Sequence, residues 1–201
     1  NCNRFQGSFF SRSFFFVGRG KCVLHVVASR TIVLCYNLAK GVYFMKIAIY
    51  PGSFDPITYG HLDILKNAAS IFDKVIIAVA HNYVKTGFLT IEERVKLIKE
   101  SISDMQNVEV DSFEGLTIEY AKKMGATVLI RGLRAVSDFE FEMQLSQTNS
   151  ALCDEIKTVF LTTKPEYNFI SSSTIKEILA NGGDISKFVP EPVYNYLTNG
   201  K

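Results

Sequence analysis

Y-P-G-S-F-D-P-I-T-Y-G-H, residues 50–61, is the stretch of the chain that decides its predicted fold. Lys46–Tyr50 reads as a short buried strand, and apolar residues recur at helical spacing from Leu62 to Phe72. The stretch is therefore a turn that joins the end of a strand to the start of a helix. Such a junction binds phosphate in open α/β folds, because free backbone N–H groups and the positive helix end face the anion. His61 is predicted to lie in the first helical turn.

Taken alone, this stretch also fits an ordinary strand-to-helix loop with a histidine on the surface. The functional interpretation gains support because the turn, the helix start and the histidine come together. It also agrees with two further motifs downstream, described below.

From Met45 onward, predicted strands alternate with predicted helices. The strands are Lys46–Tyr50, Lys74–Ala80, Val108–Asp111, Thr127–Arg131 and Thr158–Leu161. The helices are Gly60–Phe72, one capped by Thr90, Leu116–Met124, Asp138–Cys153, Ser173–Ala180 and a short one that follows the Pro190-Glu-Pro192 turn. This alternation predicts an α/β fold: a Rossmann-like, open, parallel five-stranded sheet with helices on both faces.

Charge is distributed unevenly along the chain. Residues 1–44 hold six of the 22 Lys and Arg residues and no Asp or Glu, so the remainder carries 16 basic against 20 acidic residues. A mildly acidic main body argues against a broad nucleic-acid surface. The body also holds a single cysteine, Cys153, so it has no internal disulfide, and a reducing, cytoplasmic location is predicted.

The basic leader, residues 1–44, is excluded from the fold prediction. It contains no uncharged apolar run of 18 residues, so no membrane span is predicted. We interpret it as a non-native or disordered extension, with an organelle-targeting leader and a functional module as the alternatives. We expect a chain that starts at Met45 to keep full activity.

R-G-L-R, residues 131–134, follows the fourth predicted strand and places two guanidinium groups three residues apart. Such a pair suits two phosphates, each held by bidentate contacts. The alternative is a pair of surface arginines bound to Asp138, Glu140 or Glu142.

Ser171–Thr174 opens a predicted helix with four consecutive hydroxyl groups. An N-cap needs only one of them. The group also suits a triphosphate, or the pyrophosphate that leaves it, at the helix N-terminus. Both interpretations stay open on the residues alone.

Other polar residues give weaker signals. Lys85 and His81 lie in a polar loop where surface exposure is the ordinary outcome, and Cys153 has no Cys or His partner at metal-ligand spacing. The body contains neither a G-x-x-x-x-G-K-[ST] loop nor a G-x-G-x-x-G fingerprint, so a P-loop NTPase and a dinucleotide dehydrogenase are not supported.

Three signatures together resemble the bacterial phosphopantetheine adenylyltransferases, within the nucleotidylyltransferase superfamily. They are G-S-F-D-P with T-Y-G-H (52–61), I-R-G-L-R (130–134) and I-S-S-S-T-I-K-E (170–177). T-x-G-H alone marks only the superfamily, whereas R-G-L-R-A-V-S-D-F-E-F-E-M-Q (131–144) followed by I-S-S-S is much more specific. The resemblance runs from about Met45 to Val193, and residues 45–201 are taken as one nucleotidylyltransferase domain.

The resemblance implies transfer of AMP from ATP to 4′-phosphopantetheine, giving dephospho-coenzyme A and pyrophosphate in coenzyme A biosynthesis. It also implies Mg²⁺ as cofactor and assembly as a homohexamer, with no nucleic-acid or membrane partner. The catalytic residues it implies are His61, Lys85 and Arg131. It places ATP at Ser53, Phe54, His61, Gly132, Leu133, Arg134, Glu142, Tyr167, Asn168, Phe169, Ile170, Ser171, Ser172 and Ser173. It places 4′-phosphopantetheine at Ser53, Lys85, Thr117 and Arg131, and no metal ligands are predicted on the chain.

Three rival functions remain. One is a nicotinamide-mononucleotide or glycerol-phosphate nucleotidylyltransferase on the same scaffold, against which R-G-L-R with I-S-S-S argues. Another is a nucleotide sensor without catalysis, against which the presence of His61, Lys85 and both arginines argues. The third is an RNA-binding module that uses the basic leader, which the acidic body disfavours.

Overall fold

A computed structural model of the chain describes residues 45–81, 87–134 and 136–199, together with five short strands in the first 44 residues. The chain divides into two compact units, Asn1–Phe44 and Met45–Lys201. In the first unit, β1 (Arg4–Phe5), β2 (Phe14–Val17) and β3 (Gly20–Lys21) form one antiparallel sheet, and β4 (His25–Val27) and β5 (Arg30–Ile32) form another. The prediction of a non-native or disordered leader concerns residues that mostly lie outside the described part.

The second unit alternates strands and helices along its length. Its strands are β6 (Ile47–Gly52), β7 (Lys74–Ala80), β8 (Val108–Phe113), β9 (Val128–Leu133) and β10 (Lys157–Thr162). Its helices are α1 (Tyr59–Ile71), α2 (Ile91–Ser101), α3 (Thr117–Lys123), α4 (Val136–Leu152), α5 (Ser172–Ala180) and α6 (Glu191–Asn199). A single 3-10 turn, Pro165–Tyr167, precedes α5 in the described chain.

These five strands form one parallel sheet in the order β10-β9-β6-β7-β8. The chain builds outward from β6 to β8 and then returns to the other side of β6 for β9 and β10. The order therefore reverses between β6 and β9, and ligands of open α/β sheets bind beyond the carboxyl ends of the strands at this reversal.

The two faces of the sheet carry separate apolar cores. Alternate residues of the central strands point to opposite faces, as the two-residue period of a strand requires. One core contains Ala48, Val75, Ile77 and Val79 with residues of α1, α2, α5 and α6. The other contains Ile49, Ile76, Ala78 and Leu129 with Ile118 and Ala121 of α3. The predicted open parallel sheet covered on both faces is confirmed.

Element boundaries differ from the prediction by a few residues. β6 extends through Pro51 to Gly52, although proline cannot donate to a strand ladder. Pairing with β9 stops at Ile49, whereas pairing with β7 continues to the strand end. The carbonyl of Pro51 faces the resulting gap and accepts a hydrogen bond from Arg131 Nη1, 3.3 Å away.

Two further differences lie at helix ends, since α4 stops at Leu152, one residue before Cys153, and α6 begins within the Pro-Glu-Pro turn at Glu191. No described helix is both long and apolar enough to cross a membrane.

Candidate active site

A cavity of about 300 Å³ opens where β6 and β9 diverge, at the reversal of strand order. It brings together segments that lie far apart in the sequence. The predicted site residues that line it are Ser53, Phe54, His61, Arg131, Gly132, Arg134, Glu142, Ile170, Ser171, Ser172 and Ser173. The turn after β6, the end of β9, helix α4 and the start of α5 therefore share one concave site.

Other predicted residues stand outside the cavity lining. Tyr167 stacks on Tyr59 with ring centroids 6.3 Å apart. Asn168 accepts a hydrogen bond from the Thr163 hydroxyl, and the side chain of Phe169 is 66% exposed.

The remaining predicted residues are placed as follows. Leu133 is the last residue of β9, and Thr117 is the first residue of α3. Lys85 lies outside the described residues. These positions leave the roles of all three as predictions.

The turn that opens the site depends on close packing around one ring. Phe54 is buried with a φ of 46°, in the left-handed region that L-residues rarely adopt. Its ring contacts Tyr50 and His61 edge-on, with centroids 5.3 and 5.2 Å away. A Cβ added to Gly52 would lie 2.8 Å from this ring, so glycine is needed for the close approach.

His61 lies in the first turn of α1, where its ring faces back toward the helix start. The Thr58 N–H donates to His61 Nδ1 over 3.1 Å. A backbone N–H can only donate, so Nδ1 is an acceptor, and the neutral ring carries its hydrogen on Nε2. The site therefore holds an imidazole whose remaining polar group is a donor.

Burial keeps this imidazole neutral. Burial, with a smaller contribution from the positive charge of Arg134, lowers the pKa of His61 to about 4. A neutral Nε2–H at neutral pH suits a hydrogen bond to an anion, and it does not make His61 a strong general acid.

Arg131 is held in place by Glu142. Arg131 Nη2 donates to one carboxylate oxygen over 2.9 Å, and Arg131 Nε forms a second, shorter bond to the other oxygen. This is the bidentate arrangement that fixes a guanidinium plane. Arg131 also donates to the carbonyl of Pro51 across the gap between β6 and β9. Both oxygens of Glu142 thus face Arg131.

Arg134 joins the end of β9 to the segment that precedes α5. Its Nε pairs with Asp138 at 3.1 Å, and its Nη1 donates to the carbonyl of Ile170 over 3.2 Å. The two arginines of R-G-L-R are therefore both partly engaged by acidic residues of α4. The alternative prediction, that these arginines pair with acidic residues, therefore accounts for part of their bonding, but both arginines also line the cavity.

The hydroxyl groups of the serine run have two roles: one caps α5, and another binds the turn after β6. Ser171 is the N-cap of α5 and accepts from the Thr174 N–H over 3.0 Å. Ser172 donates to the carbonyl of Pro56 over 2.9 Å, which ties α5 to the turn after β6. Ser173 lines the cavity with them. The N-terminus of α5 consequently faces the same space as the N-terminus of α1.

Comparison with known proteins identifies the family. Residues 49–178 match the family model "Cytidylyltransferase-like". A phosphopantetheine adenylyltransferase from Lachnoclostridium phytofermentans is 54% identical over 160 residues, which cover 78% of this chain and 98% of the relative. One from Gloeobacter violaceus is 53% identical over 151 residues, covering 75% of this chain and 94% of the relative.

The chain belongs to the phosphopantetheine adenylyltransferase family. A crystal structure described as a nicotinate-nucleotide adenylyltransferase from Vibrio parahaemolyticus superposes with a TM-score of 0.61 and 21% identity, covering 78% of this chain and all of that one. At that identity the likeness supports the fold and not the substrate.

Several residues that line the cavity were missed by the sequence prediction. Tyr50, Thr58, Ile64 and Thr163 also line the cavity. The T-Y-G-H motif contained a usable signal for Thr58, since a polar residue three positions after a threonine resembles a capping box. No local pattern points to Thr163, because only the fold brings it to the site.

The donor groups of the site include few ligands of the kind that Mg²⁺ prefers. Among the described residues, no group of three or more His, Cys, Asp or Glu side chains could hold a metal ion. Both carboxylate oxygens of Glu142 accept hydrogen bonds from Arg131, so they are already engaged. The serine hydroxyls that line the cavity are weak metal ligands on their own.

Proposed function

We propose that this chain transfers AMP from ATP to 4′-phosphopantetheine by direct in-line displacement, giving dephospho-coenzyme A and pyrophosphate. The observation that supports this most strongly is that His61, Arg131 and Ser172 line one cavity at the reversal of strand order. Two guanidinium groups and two helix N-termini converge there, as two phosphate-bearing substrates require.

The nucleophile needs no general base. A phosphate oxygen of 4′-phosphopantetheine is already an anion at neutral pH, and it attacks the α-phosphorus opposite the pyrophosphate. Catalysis then consists of positioning and of stabilising charge on the reacting phosphoryl group. The Nε2–H of His61 donates to an α-phosphate oxygen, more strongly as charge builds up in the transition state.

The two substrates contact different sets of residues. Arg131, oriented by Glu142, binds the phosphate of 4′-phosphopantetheine together with Lys85, while Ser53 and Thr117 contact the same substrate. The nucleotide is bound by Arg134 and Gly132 and by the segment Tyr167–Ser173. Mg²⁺, bound mainly by the ATP phosphates, would supply charge neutralisation to them.

Helix α4 supports assembly as a homo-oligomer, which we propose to be a hexamer. On one face it exposes two large apolar side chains, Phe141 (66%) and Leu152 (54%), which share a side because they are eleven residues apart. Met143 (37%) is exposed on the opposite side. A second copy of this chain is the proposed occupant of this face. Light scattering on the purified protein tests the subunit count.

We also propose a cytoplasmic location, with no nucleic-acid or membrane partner. The buried Cys153 is a free thiol, as expected in a reducing compartment.

The test is a pyrophosphate-release assay with ATP and three acceptors measured side by side: 4′-phosphopantetheine, nicotinamide mononucleotide and glycerol phosphate. We expect turnover with the first and background release with the other two. Turnover with another acceptor would favour a different nucleotidylyltransferase on this scaffold. ATP binding without release from any acceptor would favour the sensor function.

A further inference from the structure

Three charged side chains form a cluster at the turn after β6, and none of them is among the residues that line the cavity. They are Asp55 in the turn after β6, Arg94 in α2 and Lys176 in α5. Asp55 and Arg94 are only 6% and 7% exposed, and the side chain of Lys176 is 36% exposed. Because burying charges is costly, such a cluster needs close pairing, and its geometry shows which segments it connects.

Three hydrogen-bond donors and one ion-pair partner surround the Asp55 carboxylate. The N–H groups of Phe88 and Leu89 donate to its two oxygens over 2.9 Å each. Arg94 Nε lies 3.4 Å from one oxygen, and Lys176 Nζ lies 3.3 Å from the other. Burial alone would raise the pKa of Asp55, but these four neighbours together lower it, so the group stays ionised.

Arg94 fixes the same region from a second side. It donates twice to the carbonyl of Leu89, over 2.9 and 2.6 Å, and once to the carbonyl of Ser53 over 3.2 Å. Its guanidinium lies so close to Gly87 that an added Cβ would be 1.7 Å from Nη2. The stretch 87–89 is thereby clamped against the turn after β6.

Lys176 connects the third segment. Its ion pair with Asp55 lies one helical turn after the bond from Ser172 to the carbonyl of Pro56. Two contacts therefore dock the first turns of α5 onto the turn after β6. Ser53 of that turn lines the cavity, and the turn leads into His61 at the start of α1. The contacts therefore set the distance between this side of the cavity and the side formed by the N-terminus of α5.

We propose that Asp55 is a positioning residue that holds the turn after β6 and the N-terminus of α5 at the separation required for adenylyl transfer. The inference rests on the proposed function. A carboxylate near a nucleotide would otherwise be assigned as a ligand of Mg²⁺, but the three donors and the Arg94 ion pair would have to be displaced first. Misplacement of reacting groups by about 1 Å can cost about a hundredfold in rate.

The primary test is Asp55→Asn, assayed well below its melting temperature with the folded fraction measured by circular dichroism. The amide keeps the shape but turns an NH₂ group toward donors. We expect kcat to fall by about a hundredfold, while the KM for ATP changes far less. The Mg²⁺ concentration that gives half-maximal activity, and the Mg²⁺-induced shift in melting temperature, should stay as in the wild type.

Asn107→Ala is the matched control. Asn107, directly before β8, donates to the carbonyls of Ala69 and Phe72 at the end of α1 over 2.8 and 3.1 Å. These bonds lie at the amino ends of the strands, whereas the cavity lies at their carboxyl ends. Losing these bonds should lower the melting temperature and leave kcat unchanged. This separates a general loss of stability from a loss of positioning.

Lys176→Met provides a second variant in case Asp55→Asn does not fold, since it removes only the contact with α5. We expect a lower kcat that Lys176→Arg restores, because arginine can renew the ion pair. A folded Asp55→Asn with wild-type kcat, a kcat restored by excess Mg²⁺, or a Lys176→Met with unchanged kcat would each overturn the proposal. Wild-type enzyme in the same assay tests the proposed function separately, since its failure to turn over would contradict that function alone.

Discussion

At the scale of single residues, the chemistry of His61 follows from one contact. Thr58 donates to Nδ1, which fixes the tautomer, and burial keeps the ring uncharged. The motif T-Y-G-H predicted that a histidine would face the site, but its charge state and tautomer depend on neighbours that a motif does not specify. The same holds for Arg131, whose orientation comes from Glu142, eleven positions later.

The charge state of His61 can be measured directly. We expect its imidazole in the free enzyme to stay neutral down to about pH 5 and to titrate at a pKa of about 4. Because this is below the ordinary value of about 6.5, the unfolded chain binds the proton first, and stability falls as pH drops from 6.5 toward 4. NMR titration tests this, with assignment from a His61→Gln spectrum. A midpoint near 6.5 would contradict it.

Removing the donor tests its role. We expect His61→Ala to lower kcat by about 10²- to 10³-fold, the usual cost of one lost donor to transition-state charge. The KM for ATP should rise far less, because the bond strengthens in the transition state. Steady-state kinetics measure both. A variant with near-normal kcat would remove His61 from the mechanism.

Glu142 offers a further test, because both its oxygens are engaged by Arg131. We expect Glu142→Gln to raise the KM for 4′-phosphopantetheine and to change the KM for ATP much less, since Arg131 loses its fixed plane. Asp138→Asn, which weakens the similar pair at Arg134, is the control for the nucleotide side. A rise in the KM for ATP alone would instead indicate that Glu142 contacts the nucleotide.

At the scale of elements, local patterns predicted most of the fold. The capping box at Thr90 is present, with the Glu93 N–H donating to Thr90 and the Thr90 N–H donating to Glu93. Strand ends were less predictable: β6 continues through Pro51 because its unpaired side faces the cavity gap. The pairing register that opens this gap is a tertiary property.

The cap of α2 makes a prediction about stability. Thr90→Ala leaves the Glu93 N–H without its acceptor, so we expect a loss of about 1 kcal/mol in the free energy of unfolding. Denaturant titration measures it. Thr198→Ala, which removes a helix hydroxyl bonded to the carbonyl of Tyr194, should have a smaller effect. Equal losses from the two variants would argue against the cap.

At the scale of the whole molecule, the site is assembled by contacts that join distant parts of the chain. Ser172 reaches Pro56 across 116 positions, and Lys164 N–H reaches the buried Asp63 across 101. Three motifs predicted which segments would meet, because each follows a strand of one parallel sheet. The motifs contain Asp55 and Lys176 but gave neither a role, and Arg94 lies outside all three, since the sequence does not show that a charged side chain will be buried.

The central claim is that both substrates are held together in one cavity and exchange the adenylyl group directly. The most direct test uses ATP that is chiral at the α-phosphorus through a sulfur substitution, with the configuration of the dephospho-coenzyme A product determined by NMR. A single in-line displacement predicts inversion at phosphorus. Retention would contradict it, because two displacements through an adenylylated side chain would then be required.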